Sequence, residues 1–120
     1  MHKNTHDVIY VIIGRGEADK IVDVAKNAGA EGATIFFARG TGIHECKKFF
    51  GIPIESEREV IMILIKKPKT EQVLEAIVKA GELEKPGRGV AFVHEVYKVV
   101  GIVHLEGCGE KLEKDKKDEQ

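Results

Sequence analysis

Gly81-Glu82-Leu83-Glu84-Lys85-Pro86-Gly87-Arg88-Gly89-Val90-Ala91-Phe92-Val93 joins a helical pattern to an alternating apolar run, with glycines where the chain has to turn. Gly87 and Gly89 lack Cβ, so the backbone can take positive φ and bring N–H groups close to an anion. Arg88 between them adds a fixed charge. A tight helix-to-strand connection with no ligand is the plain alternative for the same residues. Either way the stretch marks an α-to-β junction.

Upstream of it, Thr70 stands as an N-cap for a helix with Val73, Leu74, Ile77 and Val78 inward, Glu71, Glu75 and Lys79 outward, and Gly81 at its end. Val60-Ile61-Met62-Ile63-Leu64-Ile65 before it is a strand closed by Lys66-Lys67-Pro68. Val8-Ile9-Tyr10-Val11-Ile12-Ile13, ended by Gly14-Arg15-Gly16, reads as a buried first strand. Ala18, Ile21, Val22, Ala25 and Ala28 recur at helical spacing between Glu17 and a stop at Gly29, and Ala33 to Ala38 form a second strand. Residues 39–58 hold Gly40, Gly42, Gly51 and Pro53 with no sustained period, which predicts a long loop, functional or mobile in kind. Val90 to Val103 alternates as a last strand, and the charged tail 106–120 is expected to be loose.

The order β-α-β-β-α-β is the ferredoxin-like α+β pattern over residues 1–105, one antiparallel sheet with both helices on one face. Its other face is then bare, and the apolar residues there predict burial by self-association.

At 42% apolar and 32% charged, 120 residues fit one ordinary globular domain. A formal net charge of −1 supplies no field for nucleic acid or an anionic membrane. No apolar run is long enough to insert in a bilayer, and Met1 to Asp7 has no signal-peptide character, so a cytoplasmic protein is expected. Cys46 and Cys108 have no C-x-x-C spacing and are expected as free thiols. Gly14-Arg15-Gly16 imitates a dinucleotide turn, but the remaining fingerprint positions and the element order do not follow. No serine, histidine and carboxylate set for catalysis stands out.

Gly29-Ala30-Glu31-Gly32-Ala33-Thr34 followed by Gly40-Thr41-Gly42, and the run Pro86-Gly87-Arg88-Gly89-Val90-Ala91-Phe92-Val93, resemble the helix exit, T-loop entrance and B-loop of the P-II nitrogen-regulatory signalling proteins. The resemblance spans roughly residues 8 to 104, with a shortened T-loop. It implies a homotrimer without an active site of its own, with ATP, ADP or AMP in clefts between subunits. It also implies a T-loop that docks on a transporter, enzyme or transcription regulator in the control of nitrogen utilization. By position, Thr34 and Leu64 match adenine-side contacts, Gly40, Thr41 and Gly42 match the base of the T-loop, and Gly87, Arg88 and Gly89 match the phosphate turn. Arg58 matches a basic residue near 2-oxoglutarate, and Lys47, Lys48, Phe49 and Phe50 fall in the docking loop.

The chain also departs from that pattern. Val90, Gly101 and Val103 stand where the family carries phosphate-binding cations. Charge-assisted contacts contribute about 1.5 to 3 kcal/mol each, so weakened triphosphate binding is expected. Ile43-His44 replaces the Arg-Gln that helps hold Mg²⁺ for 2-oxoglutarate, and no tyrosine lies between Arg39 and Glu59 to be nucleotidylated. A different class remains open. His44 and Cys46, with His104 and Cys108 from the tail, would make a metal- or redox-responsive binding module, although His44, Glu45 and Cys46 alternate in direction along an extended segment.

Overall fold

A computed structural model describes residues 1–40, 48–49, 52–53 and 56–102. Its elements are β1 (His2–Gly14), α1 (Ala18–Ala28), β2 (Thr34–Gly40), β3 (Lys48–Phe49), β4 (Ile52–Pro53), β5 (Ser56–Lys66), α2 (Lys67–Gly81) and β6 (Gly89–Val99). The main sheet runs β2-β5-β1-β6 with every neighbouring pair antiparallel. This is the ferredoxin-like fold expected from the element order.

The continuous apolar run of β1 lies at the centre of the sheet, between β5 and β6, with one face turned to the helices. Ile9, Val11 and Ile13 lie opposite Ile63, Ile61 and Glu59 of β5 and point to the helices. There they join Ala18, Ile21, Val22 and Ala25 of α1 and Val73 and Ile77 of α2 in one core. Burying each isoleucine contributes about 1.5 to 3 kcal/mol. Val8, Tyr10 and Ile12 point the other way, in line with Leu64, Met62 and Val60. No helix covers that face: Phe36 is 44%, Leu64 40%, Val90 50% and Phe92 39% exposed. Tyr10 and Phe92 stack there with ring centroids 5.3 Å apart.

Several element boundaries differ from expectation. β1 begins at His2 because its N-terminal part pairs with Lys98 and Val99 of β6, across an irregularity between Lys3 and His6. The ends of the expected 39–58 loop belong to the sheet, since Arg39 pairs with Glu57 and Gly40 with Ser56. Inside it, Lys48 and Phe49 pair with Pro53 and Ile52. The last strand stops at Val99, short of the expected Val103, and Gly101 turns the chain with φ 99°. Thr70 does not cap α2. The helix starts at Lys67, with Pro68 in its first turn, and the Thr70 hydroxyl donates a 2.7 Å hydrogen bond to Asp7 Oδ2. That bond satisfies the carboxylate of a residue only 8% exposed. The tail 106–120 lies outside the described residues.

The turn into β6 depends on two glycines with different constraints. Gly87 has φ +78° and nothing within 4 Å of an added Cβ. Gly89 has φ +143°, and a Cβ there would lie 2.5 Å from the Ile12 carbonyl oxygen. Gly87→Ala is expected to cost about 1 kcal/mol, from backbone conformation alone. Gly89→Ala is expected to cost about 3 kcal/mol, since the collision adds to the conformational penalty. Urea denaturation at one protein concentration checks this ordering, and equal losses would contradict it.

Candidate functional site

The exit from α1 is the first piece of the site. Gly29 ends the helix at φ +129°, its N–H bonding back to Lys26 and the next N–H to Ala25. The Gln72 amide donates to Ala28 O at 2.8 Å, which ties this exit to α2. Residues 29–34 therefore lie against the start of α2 and the end of β5, and a cavity of about 300 Å³ opens between them. Thr34, Met62 and Leu64 form its sheet wall, Ile65, Ala33 and Ile102 add apolar surface, and His6, Glu31, Lys66 and Lys69 supply polar groups. Thr34 pairs directly with Met62, which puts it on the same bare face as Leu64.

The glycine turn lies at the other end of the sheet. Gly89 pairs with Ile13, whereas Leu64 pairs with Val8, five residues earlier on β1. At about 3.4 Å per residue the two rows are about 17 Å apart. Arg58, opposite Gly14 and Ala38, belongs to the glycine-turn end, and Gly40 lies beyond it. One protomer thus places Thr34 and Leu64 together and Arg58 and Gly89 together, with the two groups apart.

Arg88 is already engaged. Its Nε donates to the Gly81 carbonyl at 3.1 Å, and the guanidinium lies 3.8 Å from Glu17 and 3.9 Å from Glu82. The Glu82 carboxyl is held below its ordinary range by a hydrogen bond from Lys85 and that lysine's charge. Near this end a second cavity, of about 400 Å³, is lined by Arg15, Phe37, Ala38, Arg39 and Glu57. Arg15 is ion-paired to Glu57, and the Gly16 N–H donates to Glu59, so the turn after β1 is fastened to the base of β5.

Thr41, Gly42, His44, Cys46, Lys47, Phe50, Val103, His104 and Cys108 lie outside the described residues, and for Lys48 and Phe49 only the strand pairing is described. Among the described residues no group of three or more His, Cys, Asp or Glu is placed to hold a metal. Sequence reasoning did not single out His6, Lys66 or Lys69 as site residues. The visible signal was the run Lys66-Lys67-Pro68-Lys69, where cations open a helix whose positive end favours acids.

The family model "Nitrogen regulatory protein P-II" matches residues 7–110. The chain belongs to the P-II family. The B. subtilis GlnK–ATP complex superposes with a TM-score of 0.65 at 20% identity, covering 85% of this chain and 91% of that one. Arabidopsis thaliana PII bound to citrate gives 0.66 at 18% identity, covering 82% of each chain. No curated protein matches in sequence. At such identities the superpositions establish the shared fold, while the family match places this chain among P-II regulators. No helix among the described residues is long and apolar enough to cross a membrane.

His6 lines the cavity at 6% exposure, and its pKa lies below the ordinary 6.5. Burial is the main cause, followed by the charges of His2 and Lys66; Glu31 and Asp7 pull the other way. The folded chain therefore protonates at lower pH than the unfolded one, so this contribution to stability is complete above about pH 6.5 and is lost as pH falls through the folded-state pKa. Urea midpoints at about pH 7.5 and about pH 5.5 should fall further in the wild type than in His6→Gln. An equal fall in both would assign the acid sensitivity to other groups.

Proposed function

We propose that this P-II protein is a regulator without catalytic activity, which senses an adenine nucleotide in clefts between the subunits of a homotrimer. The separation of Thr34 and Leu64 from Gly87 to Gly89 within one protomer carries the reading. Each half is a coherent group of residues, and in this reading a second copy brings them face to face. The bare apolar sheet face supports the same assembly, because an exposed surface of that kind on an antiparallel sheet is ordinarily covered. That the GlnK neighbour was solved as an ATP complex supports an adenine nucleotide as the ligand class.

In this reading Thr34 and Leu64 of one subunit receive the base. Gly40, Thr41, Gly42, Gly87, Arg88 and Gly89 of the next subunit approach the rest of the ligand through backbone N–H groups. Arg58 serves a carboxylate effector of the 2-oxoglutarate type, since a guanidinium fork suits that group. The segment 39–58 presents Lys47 to Phe50 to a cytoplasmic target protein in nitrogen utilization. Ligand and target are coupled reciprocally, because the ligand biases the loop only by its difference in affinity between two loop states.

Light scattering at micromolar concentration should report a mass of three chains of 13.3 kDa each. Calorimetry on that species should show nucleotide binding that weakens by about tenfold in Arg88→Ala if the guanidinium leaves Glu17 and Glu82 for phosphate. A monomer mass removes the shared cleft. A trimer that binds no adenine nucleotide keeps the assembly and removes the ligand.

A further inference from the structure

The first residues of β1 do not continue its regular ladder. His2 and Lys3 pair with Val99 and Lys98, and His6 pairs with Val96, so the stretch from Lys3 to His6 lies opposite one residue fewer on β6. Asn4, inside this irregularity, takes φ 56°, a conformation that side chains adopt at a cost. Insertions of this kind bend a strand and re-aim the side chains beside them. In a regular strand two residues four positions apart are about 13 Å from each other. Here the imidazole rings of His2 and His6 have centroids 6.4 Å apart, tilted by 56°.

The two rings sit in different settings. His6 is buried, and its Nδ1 lies 2.7 Å from Thr5 Oγ1. With Nδ1–H donating to that hydroxyl, the lone pair is on Nε2, which is how an outer hydrogen bond fixes the ring of a metal-ligating histidine. Burial first, and then the charge of His2, lower the His6 pKa, so the ring is in the neutral form that a metal takes up. His2 is exposed, and its ring is free to turn toward a shared ion. Two imidazoles this close oppose each other's protonation, whereas a single dication suits both.

We infer that His2 and His6 form a two-imidazole chelate for a late first-row divalent ion of the zinc class. Nitrogen donors favour such ions over magnesium and calcium, which prefer oxygen. Two imidazoles bound to one tetrahedral ion at about 2.1 Å have centroids about 5 Å apart, so a shift of about 1 Å by the exposed His2 ring closes the chelate. Among the described residues no group of three or more His, Cys, Asp or Glu could hold a metal, so water completes the coordination and the ion is exchangeable. Glu31 and Asp7 add negative charge toward His6, in opposition to Lys66. At the other end of β1, Ile13 pairs with Gly89, which keeps the histidine pair remote from the glycine turn.

The test is titration calorimetry of the full chain with zinc chloride and, separately, magnesium chloride, in a Cys46→Ser/Cys108→Ser background that removes thiol ligands. Expected is uptake of zinc without uptake of magnesium, and a zinc affinity lower by about tenfold or more in both His2→Gln and His6→Gln. His2 is exposed at the start of β1, so His2→Gln removes a ligand without disturbing the core. In NMR spectra of the imidazole rings, the His2 and His6 signals should be the first to move as zinc is added. Zinc affinity unchanged in His2→Gln, or first shifts at His44, His94 or His104, overturns the inference. So does a chain that takes up no zinc, or that responds equally to magnesium.

Discussion

A four-stranded sheet with helices on one side has one finished face and one unfinished face, and much of this protein follows from that asymmetry. β1 and β5 are apolar on both sides, so their even-numbered residues need a partner as much as their odd-numbered ones do. The helices satisfy Ile9, Val11, Ile61 and Ile63 completely. Phe36, Leu64 and Phe92 are left half-covered by the protomer that carries them. In the proposed account a second and third copy provide the missing cover, and the ligand site is formed by the same contact.

That arrangement gives the polar residues distinct tasks. Asp7 and Thr70 close a bond between β1 and α2 on the finished face, where an unpaired carboxylate would be costly. Glu59 and Glu57 fasten the turn after β1, which steadies the base of the long loop. Around the cavity, by contrast, His6, Glu31, Lys66 and Lys69 are polar groups on an otherwise apolar wall. Electrostatic features unfavourable to the fold are expected where function pays for them.

The element order was legible because each strand and helix announces itself by local apolar periodicity: α1 buries Ala18, Ile21, Val22 and Ala25 and α2 buries Val73 and Ile77, while Ala28, Leu74 and Val78 of the expected inward positions are only partly buried. What depended on distant partners was not legible. Thr70 has the local marks of a cap, yet its hydroxyl bonds a residue 63 positions away. His2 and Lys3 are polar and carry no strand pattern of their own, but pairing with Val99 and Lys98 draws them into β1. Arg39 and Gly40 extend β2 for the same reason, since their strand partners lie across the loop. The site was half legible. The glycine turn, Thr34 and Leu64 were found by family pattern, whereas His6 and Lys69 come together only through the packing of β1 and α2 beside the exit of α1.

The central claim is that one complete site is made from the two ends of two different chains. Subunit mixing tests it most directly, with Thr34→Arg to block the cavity half and Gly87→Glu to block the glycine-turn half. Each variant alone should assemble without binding nucleotide. After the two are unfolded and refolded together, a fraction of clefts will pair an intact cavity with an intact turn, and binding should return at a substoichiometric level. A mixture that binds no more than its separate components, with mixed oligomers verified by mass, would show that each protomer holds its ligand alone.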